Sequence, residues 1–194
     1  MTPSAGQVLR TGSVDDLPAV VALMDGAVRW LVSQGRTGQW GDQPWSASAA
    51  RVERLRGMIT GPGNELLVLE QDGVAVAALV HGPVAHGYVP AADEPESFVL
   101  LLVSDPAVRG AGRRLLDESW NRARAAGLRR QRVDCYGGDD GKLVRFYESA
   151  GFTRTDPFEV NGWPGQLLER SAGSLRRPES GELRKPAGVA GQEA

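Results

Sequence analysis

Apolar residues recur at helical spacing over Leu17, Val20, Val21, Met24, Val28 and Leu31, which predicts an amphipathic helix behind a short strand at QVLRTGS. Ser13 is placed to cap that helix, with Asp15 and Asp16 in its first turn. A polar, glycine-rich loop follows, RTGQWGDQPWSAS, and then a second helix over about Ala49 to Ile59, which TGPGN terminates. ELLVLEQDGVAVAALVHG reads as a pair of apolar strands turned at Gln71-Asp72-Gly73. After the loop PVAHGYVPAADEPE, the run SFVLLLV is continuously apolar, as strands covered on both faces are. A helix to about Ala126, stopped by Gly127, leads to the strand RQRVDCY and the helix GKLVRFYESAG. A last strand pair, FTRTDPFEV and GQLLER, surrounds NGWPG.

This order is strand, two helices, three strands, helix, strand, helix, two strands. Strand–helix–strand–helix in the second half implies a parallel component, and the hairpin before it an antiparallel one. The expectation is therefore an α/β (α+β) fold with a mixed sheet and about four helices. The 194 residues suit one domain over 1–170, and the segment from 171 to 194, poor in apolar residues, is expected to be a disordered tail.

Composition adds exclusions. Hydrophobic residues at 41% and charged ones at 24% are ordinary for a globular protein. No window approaches the roughly 20 apolar residues of a membrane span. The N-terminus lacks a basic region followed by an apolar run, so no signal peptide and a cytoplasmic location are expected. The single cysteine, Cys135, rules out an internal disulfide, and with His81 and His86 it makes no zinc pattern, so no metal is expected. A net charge of −2 speaks against nucleic acid as a partner. The charge is uneven, however. Between Arg109 and Arg132 eight arginines face only Asp117 and Glu118, while residues 1–108 hold twelve acids against six arginines. Such asymmetry fits either a local patch for an anionic partner or a solvated arginine-rich face.

The densest part of that segment is VRGAGRRLL, Val108 to Leu116. A glycine turn between strand and helix can cradle phosphate with backbone N–H groups, or can simply cap a basic helix. Gly110, Gly112 and Asp134 partly fit a dinucleotide fingerprint. Leu115 occupies the third glycine position, though, and some sixty residues remain, too few for a doubly wound domain.

LLVSDPAVRGAGRRLLDES resembles the acetyl-CoA motif of the GNAT (Gcn5-related N-acetyltransferase) superfamily, and LVRFYESAGF resembles its second hallmark. The resemblance covers about residues 8–170. It implies a splayed parallel strand pair with pantetheine in the gap, its amides on Leu101, Leu102 and Val103. It implies a pyrophosphate cradle from Arg109, Gly110, Ala111, Gly112, Arg113 and Arg114, and a general acid in Tyr147. Arg114 stands where the family has a small residue, and the turn is two residues short, which predicts a tightened loop helped by arginine side chains. Asp140 occupies the position of the family's asparagine, an expected cofactor contact. Tyr147 shares a helical stripe with Leu143, Phe146 and Ala150, which is the pattern of a core residue, but the two motifs together favour the catalytic role. Glu96 and Asp134 occupy positions from which family members draw a general base.

In the variable loop, Trp40, Asp42 and Trp45 suit a cation held by an acid and an aromatic face, or tryptophans packing the loop; Trp163 is placed to close over the same cleft. The function implied is acetyl transfer from acetyl-CoA to a primary amine of a small molecule, in a ternary complex. The alternatives are acetylation of a protein N-terminus or lysine, or a non-catalytic acyl-CoA sensor. No membrane partner is expected, and a homodimer is possible because many family members dimerise.

Overall fold

The computed structural model describes residues 6–172, and its strands fall where the apolar pattern puts them. They are β1 (Gln7–Thr11), β2 (Glu65–Gln71), β3 (Val74–Gly82), β4 (Glu96–Ser104), β5 (Arg130–Tyr136), β6 (Thr153–Val160) and β7 (Trp163–Ser171). The helices are α1 (Leu17–Ser33), α2 (Ala49–Thr60), α3 (Ala111–Ala125) and α4 (Lys142–Ser149). Ser13 caps a 3-10 turn, Val14–Asp16, that runs into α1, in place of capping α1 itself. Of the expected tail, Ser171 closes β7, and 173–194 lies outside the described residues.

All seven strands form one sheet in the order β1-β2-β3-β4-β5-β7-β6. Every neighbouring pair is antiparallel except β4 and β5, the parallel pair expected from the strand–helix–strand segment. Successive side chains of a strand point to opposite faces, and the core divides accordingly. Leu66, Val68, Ala78, Val80, Leu101 and Val103 pack on α1 and α2. Leu67, Leu69, Leu79, Val99 and Val133 pack under α3 and α4. Pro157, which has no N–H to give a ladder, lies in the edge strand β6 at a register shift.

The alternation breaks at one place in β4. Val80 pairs with Leu101 and His81 with Val99, which leaves Leu100 as an extra residue. Leu100 and Leu101 then both pack toward the α1–α2 side. On its other edge β4 pairs with β5 from Glu96↔Arg130 to Val99↔Val133, and there the pairing ends. A bulge bends its strand and increases the local twist, and this one sits where the parallel strands part.

The uneven charge of the sequence is largely settled within the chain. Arg122 pairs with Glu118 and Glu65, Arg130 with Asp93 and Glu94, Arg132 with Glu96, and Arg113 with Asp117. Arginines of the basic segment thus meet acids of the N-terminal half, which removes much of the supposed anion-binding patch.

Below the splay, buried Gln131 and Arg170 tie the sheet to both helices above it. Arg170 donates to Gln131 Oε1 (2.7 Å), to the Ala150 carbonyl (3.1 Å) and to the Leu116 carbonyl (2.5 Å), and its guanidinium lies 4.5 Å from the Phe152 ring centroid. Gln131 in turn donates to Ser97 and Ser119. Arg170→Met keeps the stem and strips three acceptors of their donor, so urea denaturation is expected to show a loss of about 3 kcal/mol. A loss below about 1 kcal/mol, the size of one ordinary hydrogen bond, contradicts this role.

Candidate active site

Beyond Val99 and Val133, β4 and β5 face each other as open edges inside a continuous sheet. Backbone N–H and C=O groups need partners wherever water is scarce, and past this point β4 and β5 give each other none. A cavity of about 480 Å³ occupies it, lined by β4 from Val99 to Leu102 and by β5 from Val133 to Tyr136.

At the far end of β4 the chain turns through Asp105, whose carbonyl accepts from Val108 N and whose side chain accepts from Ala107 N. Gly110 then adopts φ +80°, in the left-handed region where a Cβ is disfavoured, and α3 begins without a side-chain cap. The first N–H groups of α3 are therefore free, at the positive end of the helix dipole, and Gly112 lies close to the side chain of cavity-lining Leu102. The arginine side chains beside this turn point elsewhere. Arg113 holds Asp117 (2.9 Å) and the Ser149 carbonyl (2.6 Å), and Arg114 donates to Gln7 (2.9 Å). The expected help from those two side chains is thus not present in this arrangement, while Arg109 is exposed.

The roof is the loop between α1 and α2. Trp163 Nε1 donates to the Gln39 carbonyl (3.1 Å), and Arg36 pairs with Asp140 (2.7 Å). Tyr136 lies against Gly38 and Gly138 so closely that a Cβ at either glycine would overlap its hydroxyl. Trp40, Trp45 and Trp163 all line the cavity beneath.

One wall carries a polar cluster. Tyr88 donates to Asp134 Oδ2 (3.0 Å), and the His86 ring stacks on Tyr88 with centroids 5.4 Å apart. His86 Nε2 lies 3.2 Å from the Leu100 carbonyl, which can only accept, so Nε2 carries the proton and Nδ1 the lone pair. This bond ties the bulged residue to the cluster. Burial pushes the Asp134 carboxyl above its ordinary value and holds the His86 imidazole below its own, so both shifts favour the neutral form. Tyr147, buried on α4, is raised well above 10 by burial and stays protonated. Cys135, in the same cavity, has its thiol pushed up to about 12 by burial.

The cavity thus brings together Leu101, Leu102, Asp134, Tyr147, Trp40 and Trp45 among the residues singled out from sequence. Val103, the turn from Arg109 to Arg114, Asp140, Asp42 and Glu96 do not line it. Asp140 is spent on Arg36 and Lys142 and on accepting from the Lys142 N–H at the start of α4. Asp42 is exposed, and the cation over the Trp45 ring is the chain's own Arg51, 5.7 Å from its centroid. Glu96 lies at the closed end of the parallel pair, buried in a two-pronged ion pair with Arg132 at 2.6 Å.

Sequence reasoning missed His86 and Tyr88, which sit in a loop without periodicity. It also missed Arg51, Arg54 and Met58, which line the cavity from one face of α2. Their spacing of three and then four residues, on the flank of the stripe that holds the buried Leu55 and Ile59, was the available signal. Among the described residues, no group of three or more His, Cys, Asp or Glu side chains is arranged to hold a metal ion, and no helix is long and apolar enough to cross a membrane.

No protein-family model matches the sequence, and no curated protein matches it. Solved structures do. An acetyltransferase (yncA) of Salmonella typhimurium, solved with its cofactor acetyl-CoA, is 18% identical with a TM-score of 0.59, over 90% of this chain and 99% of that one. The ribosomal-protein-alanine N-acetyltransferase of Brucella melitensis is 20% identical, with a TM-score of 0.61 over 85% and 99%. The paia N-acetyltransferase of Thermoplasma acidophilum, in complex with coenzyme A, is 16% identical, with a TM-score of 0.63 over 86% and 99%.

The fold is that of the GNAT acetyltransferases. The mixed sheet with one parallel pair and four helices is common ground with the expectation from VRGAGRRLL and RFYESAGF. Within the GNAT fold, Glu96 can be separated from the cavity by its energetics. Glu96→Ala leaves a buried guanidinium without its counterion, so urea denaturation is expected to show a loss of about 3–5 kcal/mol. Unchanged stability contradicts a structural role for this pair.

Proposed function

We propose that the protein is an acetyl-CoA-dependent N-acetyltransferase that acetylates a primary amine of a small molecule by direct transfer in a ternary complex. The observation that carries this reading is the pair of open strand edges inside the sheet, next to an uncapped helix start. An extended chain bearing amides can satisfy those edges as a strand would, and the α3 start suits a pyrophosphate. Pantetheine attached to a nucleotide has both parts in that order. The likeness to proteins solved with acetyl-CoA and coenzyme A supports the same reading.

Acetyl-CoA supplies an activated acyl group as a thioester. The chain's residues then manage two protons. As the amine nitrogen bonds to the thioester carbon, Asp134 takes the proton that nitrogen loses. As the carbon–sulfur bond breaks, Tyr147 gives its hydroxyl proton to the departing sulfur. Solvent exchange restores both groups. Cys135 reports how this cavity treats sulfur, because its thiol is pushed up to about 12. A leaving thiolate buried beside it is likewise made more basic, which offsets the burial that makes Tyr147 a weaker acid. The raised carboxyl of Asp134 is a stronger base than an exposed one. The roof clamped by Trp163, Arg36 and Tyr136 favours a small acceptor over a polypeptide.

Calorimetric titration with acetyl-CoA is expected to show saturable binding, and absence of binding overturns the proposal. In a thiol-release assay with an accepted amine, Tyr147→Phe is expected to lower kcat about a hundredfold or more without unfolding the protein. Full turnover by folded Tyr147→Phe removes it as the acid.

The pH dependence follows from Asp134. Its folded pKa is raised, so it fails as a base as pH falls through that raised value. The acid limb of kcat/KM is expected to have its midpoint above the ordinary 3.8, and Asp134→Asn to abolish that limb along with most of the activity. Unchanged activity and pH profile in Asp134→Asn reject it as the base.

A further inference from the structure

The acceptor side of the cavity carries two guanidinium groups and one buried indole N–H. Arg51 and Arg54 lie on one face of α2, and both line the cavity with Trp45. Arg51 gives one hydrogen bond to the Gln43 carbonyl (3.0 Å) and otherwise lies over the Trp45 ring. Neither arginine has a carboxylate within salt-bridge distance among the described residues, in contrast to Arg113, Arg122, Arg130 and Arg132. Trp45, only 9% exposed, holds its Nε1–H buried with no acceptor among the described residues. A buried donor without a partner is costly, and this one shares its cavity with half-buried Arg51 and exposed Arg54, which points to something that supplies acceptors.

Charge balance points the same way. Two fixed guanidinium charges face one carboxylate, Asp134, whose burial favours its neutral form. An amine whose only charged group is its ammonium adds positive charge to an already positive cavity. An amine that also carries a carboxylate brings its own anion. Side chains three residues apart on a helix are neighbours, about 5–6 Å between Cβ atoms, so Arg51 and Arg54 can grip one carboxylate together.

We propose that the acceptor is an amino acid or a similar amine bearing a carboxylate, held by Arg51, Arg54 and the Trp45 indole N–H. This rests on the acetyltransferase reading of the same cleft. The carboxylate docks on the α2 side, and the amine lies toward Asp134 and Tyr147 across the gap. Tryptophan and tyrosine walls suit an apolar or aromatic remainder. The arrangement reverses the expectation for Trp40, Asp42 and Trp45, because the aromatic face holds an arginine of the protein and the exposed acid stays outside.

The test uses matched pairs that differ by one carboxylate, L-phenylalanine against 2-phenylethylamine and L-leucine against isoamylamine. Thiol release from acetyl-CoA is followed, and binding of the same compounds is measured by calorimetry with coenzyme A present. The carboxylated member of at least one pair is expected to have kcat/KM roughly tenfold higher or more, the worth of one charge-assisted hydrogen bond. Arg51→Gln and Arg54→Gln are expected to erase that preference chiefly through KM, while acetyl-CoA affinity stays close to wild type.

Equal or better use of the decarboxylated amines overturns the proposal. So does a loss of acetyl-CoA affinity in the arginine variants, which assigns these side chains to the cofactor's phosphates. Acetyl-CoA binding with neither turnover nor binding of any carboxylated amine overturns the acceptor class alone. Absence of acetyl-CoA binding overturns the acetyltransferase reading instead.

Discussion

The parting of β4 and β5 after Val99 and Val133 is the constraint on which the rest depends. A strand in the middle of a sheet normally has both edges occupied, and leaving one open exposes a row of backbone groups that only water or a ligand can satisfy. The chain holds the gap open from several directions. Leu100 bulges out of register with β3, β5 is drawn to β7 along its whole length, and α4 seats Tyr147 in the space between. At the closed end the two strands are fastened by the Glu96–Arg132 pair and by Gln131 with Ser97. The sheet is tightly bonded at one end and open at the other, so the opening is a built feature of the fold and not fraying.

That division explains the fate of the two acidic candidates. Both lie on the parallel pair, and Glu96 is at the fastened end while Asp134 is one residue beyond the last pairing. Glu96 has no freedom, since both its oxygens are held by a guanidinium. Asp134 accepts one hydrogen bond from Tyr88 and faces the cavity. Through Tyr88 and His86 it is connected to the Leu100 carbonyl, so the bulge that opens the sheet also positions the carboxylate.

Much of this was legible in sequence, for identifiable reasons. Helix and strand periods are local, and the elements follow them closely from β1 to β7. The Gly110 turn and the stripe containing Tyr147 are local as well. Register between distant strands is not local, so nothing in ESFVLLLV or RQRVDCY announces that Glu96 meets Arg132. The same limit misled the reading of charge. Eight arginines in one segment look like a patch, but three of them, Arg122, Arg130 and Arg132, meet Glu65, Asp93, Glu94 and Glu96 far away in sequence. Conversely, Arg51 looks like an ordinary residue of a solvated helix face until the roof loop meets it at Gln43 and Trp45.

The cavity treats its titratable groups consistently. Asp134, His86, Tyr147 and Cys135 are each moved by burial toward the uncharged form. The same desolvation acts on an ammonium brought into this space and favours the free amine, the form that can attack a carbonyl. Guanidinium groups respond differently, because they stay charged under any condition the fold survives. A cavity that neutralises everything except two arginines disfavours a lone cation and leaves a carboxylate as the charge it can best accommodate. On the proposed function, the requirement for a neutral nucleophile and the preference for an anionic tail have one physical origin, the low-dielectric space between two parted strands.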